Sequence, residues 1–157
     1  MFYSQMSLQS DLSQLSELDL FLENIMQQCG IKEDFLGIMN VALNECVENA
    51  IIHGNKSDIN KKVLVEVQLR QSKLLFSVTD EGQGFDYDSF LQQNIEQSQK
   101  SGLLTVKMLT ENLSFEKNGA QVFYTVDVPF SFSAGDKRMD VLQQTKQTIV
   151  KNSHLRI

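Results

Sequence analysis

At 157 residues the chain is long enough to bury one real core, and it suits a single domain. A formal net charge of −6 leaves no electrostatic footprint for nucleic acid, and no apolar run approaches the roughly 20 residues a membrane span needs. No basic region precedes an apolar one, since the first lysine is Lys32; a secretory signal is not expected, and Cys29 and Cys46, in helical patterns without zinc spacing, read as small core residues of a cytoplasmic protein.

Met1 to Met6 carries a faint strand pattern. Ser10 or Asp11 can cap a helix reaching about Cys29, with Leu12, Leu15, Leu18, Phe21, Leu22 and Ile25 as its apolar stripe and Gly30 as its stop. A second helix runs from about Glu33 to His53, with Gly54 at its C-terminal stop. Its polar residues are of two kinds. At roughly 100° per residue, Asn40, Asn44 and Glu48 form one stripe, an ordinary solvent face. Glu45 and Asn49 fall instead among Ile38, Val41, Ala42 and Ile52, one turn apart on one face. A carboxylate in an apolar arc needs a partner. A carboxylate and an amide aimed at the same place suggest a ligand, and an oxygen-coordinated cation fits.

Strands follow. Val63, Val65, Val67 and Leu69 alternate with Leu64, Glu66, Gln68 and Arg70, the period of a half-buried strand. Gln71-Ser72-Lys73 turns the chain into a second strand with Leu74, Phe76 and Val78 on one face. Asp80 has their parity, so a regular strand points its carboxylate toward the core side. Asp80-Glu81-Gly82-Gln83-Gly84 breaks the strand, and Phe85 to Ser101 reads as a long polar loop, a length usually tied to function or disorder. A third helix spans about Leu103 to Asn112, and a short strand covers Leu113 to Lys117. Asn118-Gly119 is a hairpin turn signal, and Val122 to Phe130 is a long strand with Val122, Tyr124, Val126 and Val128 on one face. The compact domain is expected at 1–130. Residues 131–157 read as a basic C-terminal extension with helical spacing at Met139, Leu142, Thr145 and Ile149, suited to lie on its own domain, to make a partner or dimer contact, or to stay disordered. The order helix, helix, hairpin, loop, helix, hairpin predicts an α+β fold: a two-layer α/β sandwich whose mixed, mostly antiparallel sheet carries its helices on one face.

Three motifs resemble the GHKL ATPase superfamily of gyrase, the ninety-kilodalton heat-shock chaperone, histidine kinases and MutL. Glu45-Cys46-Val47-Glu48-Asn49-Ala50 followed by His53-Gly54-Asn55 looks like the N-box. Val78-Thr79-Asp80-Glu81-Gly82-Gln83-Gly84-Phe85-Asp86 looks like the first glycine box, and Ser101-Gly102-Leu103 through Leu109 resembles the second. Over about Ser7 to Phe130 the chain is most similar to the stand-alone anti-sigma-factor serine kinases of bacterial partner-switching systems.

The resemblance implies a Bergerat-type fold and a set of roles. Asn49 would hold Mg²⁺ at the ATP phosphates, and Glu45 would be the general base. Asp80 would accept from the adenine amino group. Gly82 and Gly84 would let the backbone pass close to the nucleotide, Lys100 would be the basic residue of the lid, and Gly102 would open a helix whose N–H groups face phosphate. Implied partners are a sigma factor, sequestered by the chain, and a STAS-type anti-anti-sigma antagonist phosphorylated on serine; a homodimer is implied too, with no direct nucleic-acid or membrane contact. Two other functions remain readable: a nucleotide-gated binding module with little catalysis, and the catalytic half of a histidine kinase, for which the N-terminus leaves no room for a phospho-acceptor domain.

Plain structural readings stand beside these roles. Glu45 and Asn49 suit a buried hydrogen-bonded pair, Asp80 the start of a turn, and His53 a helix end. Three departures bear on phosphate grip, lid closure and turnover. Lys100-Ser101-Gly102-Leu103-Leu104 lacks one glycine of the usual Gly-x-Gly core, the lid contains no arginine, and Ala120 follows the hairpin glycine where Thr or Ser is usual.

Overall fold

The structure, a computed structural model, describes residues 2–84, 86 and 102–128. Lys100, nearly all of the expected lid and the extension 131–157 lie outside the described residues.

Strand β1 (Phe2–Gln9) is longer than its faint pattern suggests. Asp11, extended at φ −131°, then caps a single 3-10 turn over Leu12–Leu15 by accepting from Ser13 N–H at 2.9 Å. Helix α1 proper is Ser16–Cys29, with Glu17 and Asp19 in its first turn, where the helix dipole favours acids. Its inner stripe is Leu18, Leu22, Ile25, Met26 and Cys29. Leu12 stays exposed, because the 3-10 turn breaks the helical period that would have carried it inward. Gly30 stops α1 in the left-handed conformation at φ 63°, and Ile31 N–H donates to Met26 C=O at 3.0 Å.

Helix α2 (Leu36–Asn49) follows a 3-10 turn at Glu33–Phe35, and the chain continues helically through a π turn at Ala50–Gly54. Gly54 is therefore not the stop; the helix ends at Asn55, and Lys56 and Ser57 take the left-handed conformation. By length and composition alone, the 22 residues of Glu33–Gly54 would suffice to cross a membrane. Met39, Ala42, Leu43, Cys46, Val47 and Ile51 of this stretch are buried in the domain core.

Strands β2 (Lys62–Arg70) and β3 (Lys73–Thr79) form a hairpin with Gln71 at φ 55° in its turn. Helix α3 (Gly102–Leu109) is shorter than expected: Thr110 folds its hydroxyl back onto Val106 C=O at 2.7 Å, and β4 (Glu111–Glu116) begins at once. The Asn118-Gly119 turn, with φ 57° and 94°, leads into β5 (Gln121–Asp127).

The five strands lie in the order β1-β2-β3-β5-β4. Every neighbouring pair is antiparallel, so the sheet is less mixed than expected. β3 and β4, which flank α3 in the chain, run the same way, but β5 enters between them and pairs antiparallel with both. The inner face is the predicted one: Val63, Val65, Val67, Leu74, Phe76, Val78, Val122, Tyr124, Val126 and Val128 are all buried. Fully burying a side chain of this size contributes about 1.5–3 kcal/mol. Phe76 and Tyr124 stack with ring centroids 4.9 Å apart and planes 7° from parallel. Among the described residues the buried Tyr124 hydroxyl has no hydrogen-bond partner, a penalty of about 1–3 kcal/mol that the ring's burial offsets. Cys29 and Cys46 are free, buried thiols, as expected, and burial pushes the Cys46 thiol well above its usual range.

The stripe of Asn40 and Asn44 is more than a solvent face. Asn40 donates to Asp19 of α1 at 2.7 Å and Asn44 donates to Asn40 at 2.8 Å, a polar seam along the edge where α1 meets α2.

Candidate functional site

The site lies where the end of α2, the loop after β3, the start of α3 and the β4–β5 turn come together. α2 and α3 pack directly on one another. The contact is tightest at Glu45 and Gly102: a methyl group added to Gly102 would overlap the Glu45 carboxylate. The first residue of α3 thus rests on an anionic group, where the positive end of a helix dipole is most favourable.

The apolar arc expected around Glu45 and Asn49 is only partly buried. Ala42 is fully buried and Ile52 half-buried, but Ile38 and Val41 are 37% and 45% exposed. Glu45 and Asn49, both half-buried, therefore line a rim and not an interior. Among the described residues no hydrogen bond joins Glu45 to Asn49, so geometry gives the buried-pair reading no support. Asn49 Nδ2 is buried and has no hydrogen-bond partner among the described residues. A half-turn of that carboxamide would present Oδ1 at the same place.

Asp80 is held more closely. Its parity with Leu74, Phe76 and Val78 carries it inward at the end of β3, as the period of a strand dictates. Its backbone N–H donates to Ala120 C=O at 2.9 Å, and its Oδ1 accepts from Gly82 N–H at 2.7 Å. Burial raises its pKa above the ordinary carboxylate value, a shift opposed by the Gly82 N–H and by the charges of Lys61 and Lys56. It does more than begin a turn, since Gly54 of the π turn lies against its carboxylate: a methyl group on Gly54 would overlap Asp80 Cγ. A methyl group on Gly82 would in turn overlap the Gly54 carbonyl. Gly84, at φ 77°, fits against the Asn118 carbonyl, so the loop after β3 is pinned to the β4–β5 turn by a contact and a conformation that only glycine allows.

Of the sequence-predicted residues, Asp80, Gly82 and Gly84 come together with the β4–β5 turn, Glu45 comes together with Gly102, and Asn49 stands one turn along from Glu45; Lys100 lies outside the described residues. Two residues were missed. Gly54 looked like a helix stop, and Asn55 only closed a motif. No local signal marks either, because each meets its partner, Asp80 or Glu81, only through the fold.

The donor set bears on a metal. Among the described residues no group of three or more His, Cys, Asp and Glu side chains forms a cage. Mg²⁺ needs none: it is commonly held by one or two protein oxygens together with substrate phosphates and water. Asn49, with an unbonded carboxamide atom beside Glu45, fits that kind of site.

Residues 8–125 match the family described as the Histidine kinase-like ATPase domain, which covers more than half of the chain. The serine-protein kinase RsbW of Bacillus subtilis (strain 168) is 27% identical over 86 residues, 55% of this chain and 54% of that protein. That alignment spans about half the length of this curated relative. The crystal structure of the RsbU and RsbW domains of Rv1364c from Mycobacterium tuberculosis has a TM-score of 0.60 at 18% identity, covering 85% of this chain and 35% of that one. At that identity the likeness is one of fold, and it agrees with the antiparallel sheet and one-sided helices found here. By the match over residues 8–125, the chain belongs to the histidine kinase-like ATPase domain family.

Proposed function

We propose that the chain binds Mg·ATP, phosphorylates a serine on a STAS-type anti-anti-sigma antagonist, and sequesters a sigma factor in the cytoplasm. Nucleotide use follows from the family; the acceptor, the partners and the metal are the new elements of the reading. The similarity to a serine-protein kinase supports the choice of acceptor. The observation that carries the reading is the contact of Glu45 with the first residue of α3, beside the unbonded amide of Asn49.

In this reading Asp80 accepts from the adenine amino group, with Gly82 and Gly84 keeping the backbone close to the base. Asn49 offers its amide oxygen to Mg²⁺, which neutralises phosphate charge when bound. Gly102 lets the N–H groups of α3 approach the phosphates, and Lys100 adds a positive charge there. Glu45 takes the proton from the serine hydroxyl as its oxygen bonds the γ-phosphorus. The bond from that phosphorus to the β–γ bridging oxygen breaks, and ADP leaves with the electron pair. Residues 1–130 form the nucleotide-binding domain and 131–157 an extension available to a partner or to a second copy of the chain.

The test is phosphate transfer from labelled ATP to a purified antagonist. Native protein labels the antagonist, and Glu45→Gln lowers the rate by about 10²–10⁴-fold, the usual contribution of a general base. No label with native protein that nonetheless binds nucleotide overturns the kinase and leaves the nucleotide-gated binding module, the reading favoured by the single glycine of Lys100-Ser101-Gly102.

A further inference from the structure

Asn55 is fully buried, and its carboxamide is hydrogen-bonded at both ends. Oδ1 accepts from Glu81 N–H at 2.8 Å, while Nδ2 donates to Ser10 Oγ at 2.7 Å and to Lys62 C=O at 2.9 Å. Ser10 Oγ passes its own proton on to Lys61 C=O at 3.1 Å. One side chain thus ties together the π turn after α2, the junction of β1 with α1, the start of β2 and the loop after β3. Glu81 reinforces the same knot, its carboxylate accepting from the Lys62 N–H.

A buried amide bonded at both ends is, on its face, only a satisfied core residue. What sets this one apart is where its acceptor lands. The Glu81 N–H belongs to the peptide unit that immediately follows Asp80, and the orientation of that unit fixes the backbone on which the Asp80 carboxylate is mounted. The remaining local restraints on Asp80 are its N–H to Ala120, its Oδ1 to Gly82 N–H, and the floor provided by Gly54, the residue before Asn55. Without the Asn55 bond, the Asp80–Glu81 peptide loses the restraint that holds it to the end of the α2 segment, and the Asp80 carboxylate is aimed less narrowly. No other described side chain accepts from Glu81 N–H.

We propose that Asn55 is a positioning residue for nucleotide-base recognition: it aims the Asp80 carboxylate by holding the Asp80–Glu81 peptide against the end of the α2 segment. The proposal rests on the reading of Asp80 as the adenine acceptor. Asn55 touches no ligand, and its effect is on which base is preferred, not on the grip on phosphate.

The experiment compares ATP with inosine triphosphate, which carries an oxygen in place of the amino group, by calorimetry on the full chain with Mg²⁺. The proteins are native, Asn55→Ala and Asn55→Asp, the last keeping an acceptor for Glu81 N–H. Native protein prefers ATP by about tenfold or more, the usual value of a hydrogen bond to a charged acceptor. Asn55→Ala brings the two nucleotides to within about threefold, with inosine triphosphate changed by less than about threefold; Asn55→Asp retains more of the preference. If Asn55→Ala does not fold, Asn55→Ser, too short to span Glu81 and Lys62 together, is read in the same way. Equal weakening of both nucleotides, or a preference left intact, overturns the proposal while the Asp80 reading stands. A native protein with no preference overturns the Asp80 reading and this proposal with it.

Discussion

The two ends of the site are built differently. The Asp80 end is held from several sides: Oδ1 is bonded to Gly82 N–H, the carboxylate is seated on Gly54, its backbone is tied to Ala120 and the next peptide to Asn55, while among the described residues no hydrogen bond reaches Oδ2 or the buried Thr79 hydroxyl. At the Glu45 end, among the described residues, the carboxylate meets the bare backbone of Gly102 without a hydrogen bond, and the Asn49 amide keeps an unbonded polar atom. Buried polar groups are normally bonded, so an end that lacks partners is one whose partners come with a ligand. A base-binding end benefits from a fixed acceptor, because the recognised hydrogen bond is made once and held. A phosphate and metal end must admit charge, water and an acceptor serine, and a rim of half-exposed residues serves that better than a packed interior.

That contrast predicts which half of the activity each substitution damages. The largest effect belongs to Gly102→Ala. The added methyl group displaces the flexible end of Glu45 without touching the Asp80 end, and a catalytic group misplaced by about 1 Å loses about 10²-fold in rate. Transfer to the antagonist falls by that order in a single-turnover assay, while ATP affinity changes by only a few-fold. A parallel loss of both would mean that the two ends are not separable.

Gly54→Ala acts on the other end. Alanine favours helical backbone over glycine by about 0.5–1 kcal/mol, but its methyl group overlaps the Asp80 carboxylate and must displace it from Gly82 N–H, so thermal stability falls. Asp80 is pushed aside, and ATP affinity falls about tenfold. Equilibrium titration with a fluorescent nucleotide, run beside thermal melts, checks both signs; retained affinity would show that Gly54 is no floor for Asp80.

The smallest effect is a pH dependence. Burial raises the Asp80 pKa, so its ionised form is lost on acidification sooner than that of an ordinary carboxylate. ATP affinity falls a few-fold as pH drops through that raised value, and Asp80→Asn is flat over the same window. The unliganded fold responds with the opposite sign. A carboxyl group whose folded pKa exceeds its unfolded one is a burden while ionised, and that burden is relieved as pH falls through the folded pKa. Affinity that follows pH equally in Asp80→Asn would assign the titration elsewhere.

What could be read from the sequence follows the periods of the backbone. The α-helical spacing of Glu45 and Asn49 and the strand parity of Asp80 are local geometry, fixed by 3.6 and 2 residues per repeat, and both survive in the structure. The inner face of the sheet was legible for the same reason. β1 was faint because an edge strand of Ser and Gln has little periodic contrast, and it is ordered by pairing with β2 across sixty residues of chain. The roles of Gly54 and Asn55 escaped because their partners, Asp80 and Glu81, are 26 residues away in sequence and meet them only through the fold. Gly102 was found as part of a motif, but its contact with Glu45 required the packing of α2 on α3. Lys100 stays a sequence-level proposal.

The central claim is that this domain has a nucleotide site anchored on Asp80. Calorimetry with Mg·ATP and Mg·ADP, on native protein and on Asp80→Asn, tests it most directly. The account predicts binding by the native protein that depends on Mg²⁺ and weakens by about tenfold or more in the variant. No heat with either nucleotide up to millimolar concentration, or equal binding by both proteins, would contradict it.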